Sequence, residues 1–219
     1  MSFSWSLSAW SLFERCKFAY KCRYIDRVPG PAPSGPAQRG IDTHKEIEMN
    51  LLHGHPLSFE LQKKWGHAFN EIKGYELQTE HKIALTREWI PTAWESGWLR
   101  MVLDLKAKKP GGYTVYDWKT GKEYPEHFDQ KELYALGVLS EHPEISQVKA
   151  VHVYLDLGKQ TQREYHRDQL LARRAQWDFK GKKIEAALLD PSFPWIPEPN
   201  YLCKWCAYAR GNGGPCKFG

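Results

Sequence analysis

Apolar residues recur at helical spacing in some stretches of the chain and alternate with polar ones in others, and these changes of period lay out the elements. Ser6 or Ser8 can cap a first helix, in which Trp10, Leu12, Phe13, Phe18 and Tyr20 carry the pattern to about Arg27 with Cys16 inside it. The segment Pro29-Gly-Pro-Ala-Pro-Ser-Gly-Pro36 is too rich in Pro and Gly for regular structure and predicts an exposed loop or linker. Helical spacing resumes from Arg39 to Leu52, where Ile41, His44, Ile47 and Leu51 share a face, so His44 points inward with the apolar residues. Phe59 to Ile72 predicts a further packing helix.

From Tyr75 the period becomes two. Glu76 to Leu85 and Trp98 to Lys106 predict strands, with a Trp-rich excursion through Trp89 and Trp94 between them. Lys109-Pro-Gly-Gly112 is a turn, and Tyr113 to Lys119 is its hairpin partner. Asp129 to Leu139 then predicts a helix with Gln130 and Tyr134 four apart on one face. Val148 to Leu157 and Thr161 to His166 predict strands, and Asp168 to Leu189 a long helix bearing Arg173, Arg174, Lys180, Lys182 and Lys183. That basic cluster is either a solvated face or a set of phosphate contacts.

The hairpin carries the candidate chemistry. Asp117 and Lys119 stand two apart on a strand, so a carboxylate and an ammonium project from one face while Trp118 points to the other. If Lys108 pairs with Tyr113, Asp104 falls opposite Asp117, and like charges so placed are destabilising unless a cation lies between them. Two carboxylates, the Trp118 backbone carbonyl and the His44 imidazole form an oxygen-rich set suited to Mg²⁺ or Mn²⁺. An ion there acidifies bound water, and Lys119 would orient the nucleophile or stabilise charge developing on a phosphoryl group. Glu80, on the preceding strand, either adds a carboxylate from the edge or serves solubility.

Composition sharpens this picture. The 219 residues fit one elaborated domain, and 31 Lys+Arg against 26 Asp+Glu leave a net charge of +5, which permits a polyanionic partner. Ten Trp, eleven Tyr and nine Phe supply faces on which bases can stack, although most such rings serve as core. With no leader-like N-terminus and no apolar run near the roughly 18 residues of a membrane span, the expectation is a soluble, cytoplasmic protein without a membrane partner. Five cysteines, an odd number, argue for metal ligation or free thiols over a disulfide framework.

Taken together, these motifs resemble the PD-(D/E)XK nucleases, and within them the RecB-like branch that includes CRISPR-associated RecB-like and phage recombination exonucleases. Ser6-Leu-Ser8 with Phe13-Glu-Arg-Cys16 is similar to the opening helix of that branch, Arg39-Gly40 with His44 to its histidine motif, and Asp104 to its second-strand aspartate. Asp117-Trp-Lys119-Thr-Gly121 is similar to its D-x-K strand, and Gln130 with Tyr134 to its Q-x-x-x-Y helix. The resemblance implies an α/β fold with a restriction-endonuclease-like core: a central mixed β-sheet of about five strands flanked by helices. It implies that His44, Asp104, Asp117 and the Trp118 carbonyl bind metal, that Lys119 is catalytic with Asp104 and Asp117, and that Gln130 and Tyr134 support the site or touch DNA; Glu80 and Arg39 are further candidates for that supporting part.

Cys203-x-x-Cys206 with Cys216 supplies three thiolates, and Cys16, or Cys22 in its place, the fourth. The resemblance implies a [4Fe–4S] cluster tying the chain ends together, whereas spacing alone suits a structural Zn²⁺ equally. The expected organisation is a single nuclease domain over 1–219, with a catalytic core at 39–189 and a cysteine-ligated subdomain from 1–28 and 190–219. The expected activity is that of a Mg²⁺- or Mn²⁺-dependent DNA exonuclease of recombination, replication or repair, working with a partner protein of those processes. A structure-specific endonuclease, or a non-catalytic DNA-binding protein built on the Cys₄ knot and basic helix, are the alternatives.

Overall fold

A computed structural model describes residues 3–124 and 126–218. The chain forms two compact units, one of the residues up to Pro33 with those from Gln176 onward, the other Ser34–Ala175.

In the first unit, Ser6 caps helix α1 (Leu7–Arg15), its hydroxyl accepting the Ala9 N–H at 3.2 Å. The single helix expected to reach Arg27 is broken at Cys16. This residue is extended, with φ −165° and ψ 113°, and its sulfur accepts the Ala19 N–H to cap a new turn, α2 (Lys17–Tyr20), which runs into a π-helical turn at Lys21–Ile25. The apolar phase continues through Phe18 and Tyr20, so periodicity alone does not reveal the break. Phe13, Tyr20, Phe193 and Trp195 pack ring against ring as the core of this unit.

The second unit opens with α3 (Pro36–His53), which has Pro at its first turn and ends at Gly54 in the left-handed conformation, φ 69°. Helix α4 (Phe59–Ile72) follows, then strands β1 (Glu76–Leu85), β2 (Leu99–Lys109) and β3 (Gly112–Lys119), helix α5 (Glu126–Glu141), and strands β4 (Gln147–Tyr154) and β5 (Lys159–His166). The last helix, α6 (Arg167–Leu189), starts here and ends in the first unit. Among the described residues no helix is long and apolar enough to cross a membrane.

The five strands form the expected mixed sheet; they lie in chain order, antiparallel except for β3 beside β4. A parallel neighbour needs a long crossover, and α5 is that crossover. One sheet face carries α3 and α4, where Ile47, Leu51, Trp65 and Phe69 pack on Leu105, Ala107, Tyr116, Trp118, Val151 and Val153. The other face carries α5. At Gly137 this helix lies so close to the sheet that an added Cβ would stand 2.4 Å from Met101 Sδ and 3.4 Å from Ile83 Cδ1.

The pleat is reset in mid-sheet. Leu77 on β1 and Leu105 on β2 pack toward α3 and α4, yet His81 and Ile83 on β1 and Met101 on β2, an even number of residues away, meet α5. Strict alternation would keep each set on one face. No residue is inserted, since Thr79 pairs with Leu105 and His81 with Leu103. The reset falls at Glu80, opposite Asp104, where the backbone is left-handed with φ 47°. Such a conformation costs a non-glycine residue on the order of 1–3 kcal/mol, and it coincides with the candidate site.

Candidate active site

The expected hairpin register is present, with Lys108 opposite Tyr113, and the ladder runs to Leu105 opposite Tyr116. There it stops. Asp104 and Asp117 do not continue the pairing; instead Asp104 Oδ2 accepts the backbone N–H of Trp118 at 2.8 Å. Beyond this point β3 stays paired with β4 through Lys119, while β2 stays paired with β1 through Leu99. Helices from opposite faces of the sheet reach the place where β2 and β3 part.

From α3, His44 Nε2 donates to the Trp118 carbonyl at 2.8 Å and Nδ1 stands 3.4 Å from Asp104 Oδ2. Burial acts to lower the His44 pKa, but the Asp104 carboxylate, Asp117 and the Trp118 carbonyl outweigh it and the net shift is upward. From α5, Gln130 Oε1 accepts from Lys119 Nζ at 2.6 Å, and Gln130 Nε2 donates to the Tyr134 hydroxyl at 2.8 Å. Burial, then the carboxylates Asp117 and Asp104, raise the Tyr134 pKa, so it remains a neutral phenol. Lys119 Nζ also pairs with Asp117 Oδ2 at 2.6 Å. Asp117 is 3% exposed, and burial together with the nearby Asp104 carboxylate pushes its pKa up to about 7 against the pull of Lys119. Glu80 is likewise shifted up, by burial and then by Asp104 and Glu48.

The structure thus brings together His44, Asp104, Asp117, the Trp118 carbonyl, Lys119, Gln130 and Tyr134, with Glu80 within electrostatic range. Among the described residues, no three His, Cys, Asp or Glu side chains are gathered closely enough to hold a metal ion as they stand. Arg39 is engaged elsewhere: its guanidinium pairs with both oxygens of Asp156, whose Oδ2 also accepts the Gly121 N–H at 2.8 Å. Arg39 and Asp156 therefore clasp the turn that follows Lys119. Gly121 has φ 94° there, which explains a glycine two residues past the lysine. Asp156 escaped sequence reading because it lies past the end of β4 in no recognisable motif. His152, 1% exposed on β4 with Nε2 3.8 Å from Asp117 Oδ2, escaped because it sits in an ordinary strand pattern.

Three cations of the basic helix have partners inside the protein. Arg173 pairs with Glu132, Arg174 donates to the Arg87 carbonyl, and Lys183 pairs with Glu14. In the first unit, Cys16, Cys203, Cys206 and Cys216 line one cavity of about 200 Å³, which Cys22 does not line. All five thiols are free. The Cys16 sulfur accepts the N–H groups of Ala19 and Glu198, and the Cys203 sulfur that of Asn200.

A five-stranded mixed sheet between helices, with D-x-K on a central strand and a second aspartate on its neighbour, defines a restriction-endonuclease-like α/β protein. The chain belongs to the PD-(D/E)XK nuclease superfamily, whose sequence pattern matches residues 4–210. Comparison with curated proteins gives no match. Among solved structures, a candidate exonuclease from Eubacterium rectale is 13% identical, with 95% of this chain and 88% of that chain covered and a TM-score of 0.52. At that identity the likeness concerns the fold. SSO0001 is 14% identical over 95% of this chain and 84% of that chain, with a TM-score of 0.43.

Proposed function

We propose that the protein is a Mg²⁺- or Mn²⁺-dependent deoxyribonuclease that acts at DNA ends. The observation that carries this reading is the convergence of Asp104, Asp117, the Trp118 carbonyl and Lys119 where two strands separate. Asp104 Oδ2 accepts the Trp118 N–H and stands 3.4 Å from His44 Nδ1, the Trp118 oxygen accepts from His44 Nε2, and Asp117 Oδ2, buried without a hydrogen-bond partner among the described residues, stands 2.6 Å from the Lys119 ammonium. Hard oxygens that draw cationic groups fit Mg²⁺ or Mn²⁺. Asp104, Asp117 and the Trp118 carbonyl would hold the ion, with His44 as a further ligand, and the ion would supply an acidified water and charge neutralisation.

The chain's own residues supply the rest. Lys119, held by Gln130 and through it by Tyr134, stays at the edge of the site to orient the nucleophile or meet the charge on the phosphoryl oxygens. The Arg39–Asp156 clasp fixes the turn behind it. Exonuclease action is favoured by the likeness to the Eubacterium rectale candidate exonuclease, and DNA as substrate by the family.

Digestion of 5′- and 3′-labelled linear DNA beside circular DNA, with Mg²⁺ or Mn²⁺, tests the reading. Linear DNA is expected to shorten from an end. Asp117→Asn and Lys119→Met are expected to cost about 10²–10³-fold or more in rate, the scale of losing one preorganised stabilising group. Full activity in folded Asp117→Asn would sink the proposal, and equal cutting of circular DNA would replace the exonuclease with an endonuclease.

For the cysteine-lined cavity the reading is a structural [4Fe–4S] cluster held by Cys16, Cys203, Cys206 and Cys216. What supports the reading is that these four thiols line one cavity; a structural Zn²⁺ takes the same Cys₄ set, and metal content separates the two.

A further inference from the structure

Strand β4 runs parallel beside β3, and its register sets His152 directly against Asp117. Val151 and Val153 pack with Trp118 toward α3 and α4, so His152 and Asp117 share the opposite face, that of α5. His152 is 1% exposed, and neither Nδ1 nor Nε2 has a hydrogen-bond partner among the described residues. A buried imidazole in that state gives up its hydrogen bonds to water and gains none in return, so an apolar side chain of similar size would fill the place at lower cost. Burial, then the positive charges of Lys119, Lys131 and His127, hold its pKa down at about 2, and the ring is therefore neutral with one N–H to give.

Polar neighbours of the ring other than Asp117 are committed elsewhere. Thr161, opposite His152 on β5, accepts from the Lys131 ammonium at 2.9 Å, and His127 Nδ1 meets the Tyr154 hydroxyl at 3.1 Å. His127 and Tyr154 stand edge-on to the His152 ring, with centroids at 5.6 Å and 6.2 Å, and fix its plane. On the β3 side, Asp117 Oδ2 lies 3.8 Å from His152 Nε2; it too has no hydrogen-bond partner among the described residues, its contact with Lys119 being an ion pair. Two buried groups without partners thus face each other across a gap roughly 0.6–1.1 Å longer than an N–H···O bond. A lysine engaged with a nucleophile or a phosphoryl oxygen cannot at the same time fix Asp117, and a carboxylate that ligates a cation keeps further lone pairs for a donor that sets its orientation.

We propose that His152 is a positioning residue of the nuclease site: its Nε2–H donates to Asp117 Oδ2 and holds that carboxylate in the orientation that takes the divalent ion, which leaves Lys119 free for the substrate. His152 acts through Asp117 and needs no access to DNA, in keeping with its burial. The role rests on the metal-dependent nuclease reading, but it is measured by ion binding and by the state of the imidazole, without turnover.

The test is Mn²⁺ affinity of the full-length protein without DNA, read from the electron paramagnetic resonance of the free ion. His152→Leu, which fills the place without a donor, is expected to weaken Mn²⁺ binding about 10–100-fold, the scale of losing a hydrogen bond that supports a ligand, while its thermal midpoint in EDTA is unchanged or raised. His152→Gln, whose amide nitrogen reaches as far as Nε2, is expected to bind close to wild type; His152→Asn, whose amide stops at the position of Nδ1, is expected to bind as weakly as His152→Leu. Should His152→Leu not fold, the contrast between the Gln and Asn variants still decides, and a Gln variant no better than the Asn variant overturns the role. In metal-free protein, a ¹H–¹⁵N correlation of the imidazole is expected to show the Nε2–H tautomer, and the Nδ1–H tautomer would rule the contact out. Equal Mn²⁺ affinity in wild type and folded His152→Leu overturns the positioning role alone. Wild-type protein that binds Mn²⁺ no better than Asp117→Asn overturns the metal site itself and this role with it.

Discussion

A carboxylate buried as deeply as Asp117 ionises against resistance, and its environment sets both the sign and the range of a pH effect. Burial and Asp104 raise its pKa from the ordinary 3.8 to about 7, despite the Lys119 ammonium at 2.6 Å. A group whose folded pKa exceeds its unfolded value favours folding in its protonated form. That contribution is complete below about 3.8 and is lost as pH rises through about 7. The metal-free protein is therefore expected to lose stability from this group between pH 4 and pH 8, in contrast to carboxylates whose pKa is lowered. Asp117→Asn, which stays neutral throughout, should flatten that part of a denaturant-midpoint profile. If the slopes of wild type and variant coincide, Asp117 is not the residue that titrates there. The same shift predicts that Mn²⁺ uptake near pH 6 releases a proton from the wild-type site.

At the scale of elements, the chain shows how far a pattern reaches. The hairpin register, the strands Glu76–Leu85 and Tyr113–Lys119 and the pairing of Gln130 with Tyr134 were legible because each rests on local period or turn chemistry. The break at Cys16 and the pleat reset at Glu80 were not, because both preserve the apolar phase while changing the backbone. Asp156 looks in sequence like one more residue of the expected strand Val148 to Leu157, and only its tertiary pairing with Arg39 and the Gly121 N–H ties it to the turn after Lys119. The last turn of the chain is a further case. Cys216 donates its N–H to the Tyr208 carbonyl at 2.8 Å and bridges Ala209, a return that passes Gly214 close against the Tyr208 backbone. A Cβ on Gly214 would stand 2.2 Å from the Tyr208 carbonyl carbon, a backbone atom that cannot swing aside. Gly214→Ala is thus expected to displace Cys216 from the cavity and reduce the metal bound there at least severalfold, while Mn²⁺ binding at the carboxylate site persists. Wild-type cluster content in this variant would show that Cys216 is not a ligand.

Considered whole, the molecule joins residues far apart in sequence twice, by different chemistry in each unit. In Ser34–Ala175 a sheet with helices on both faces buries enough apolar surface to stand on packing. In the other unit a few short helical turns and an aromatic cluster combine with a tail rich in Pro and Gly. Small assemblies of that kind commonly depend on metal or disulfide staples. On the proposed reading that staple is a metal centre held by Cys16, Cys203, Cys206 and Cys216, whose free thiols line one cavity. Protein purified without oxygen is accordingly expected to be brown and to carry about four irons per chain, the content of a [4Fe–4S] cluster. Cys203→Ser is expected to lose the iron and to lower the midpoint of a thermal transition that removal of Mg²⁺ or Mn²⁺ leaves in place. Colourless protein with stoichiometric zinc would make the staple a structural zinc ion. Metal-free protein whose stability does not change in Cys203→Ser would show that the fold needs no staple, and that the four thiols are packing residues.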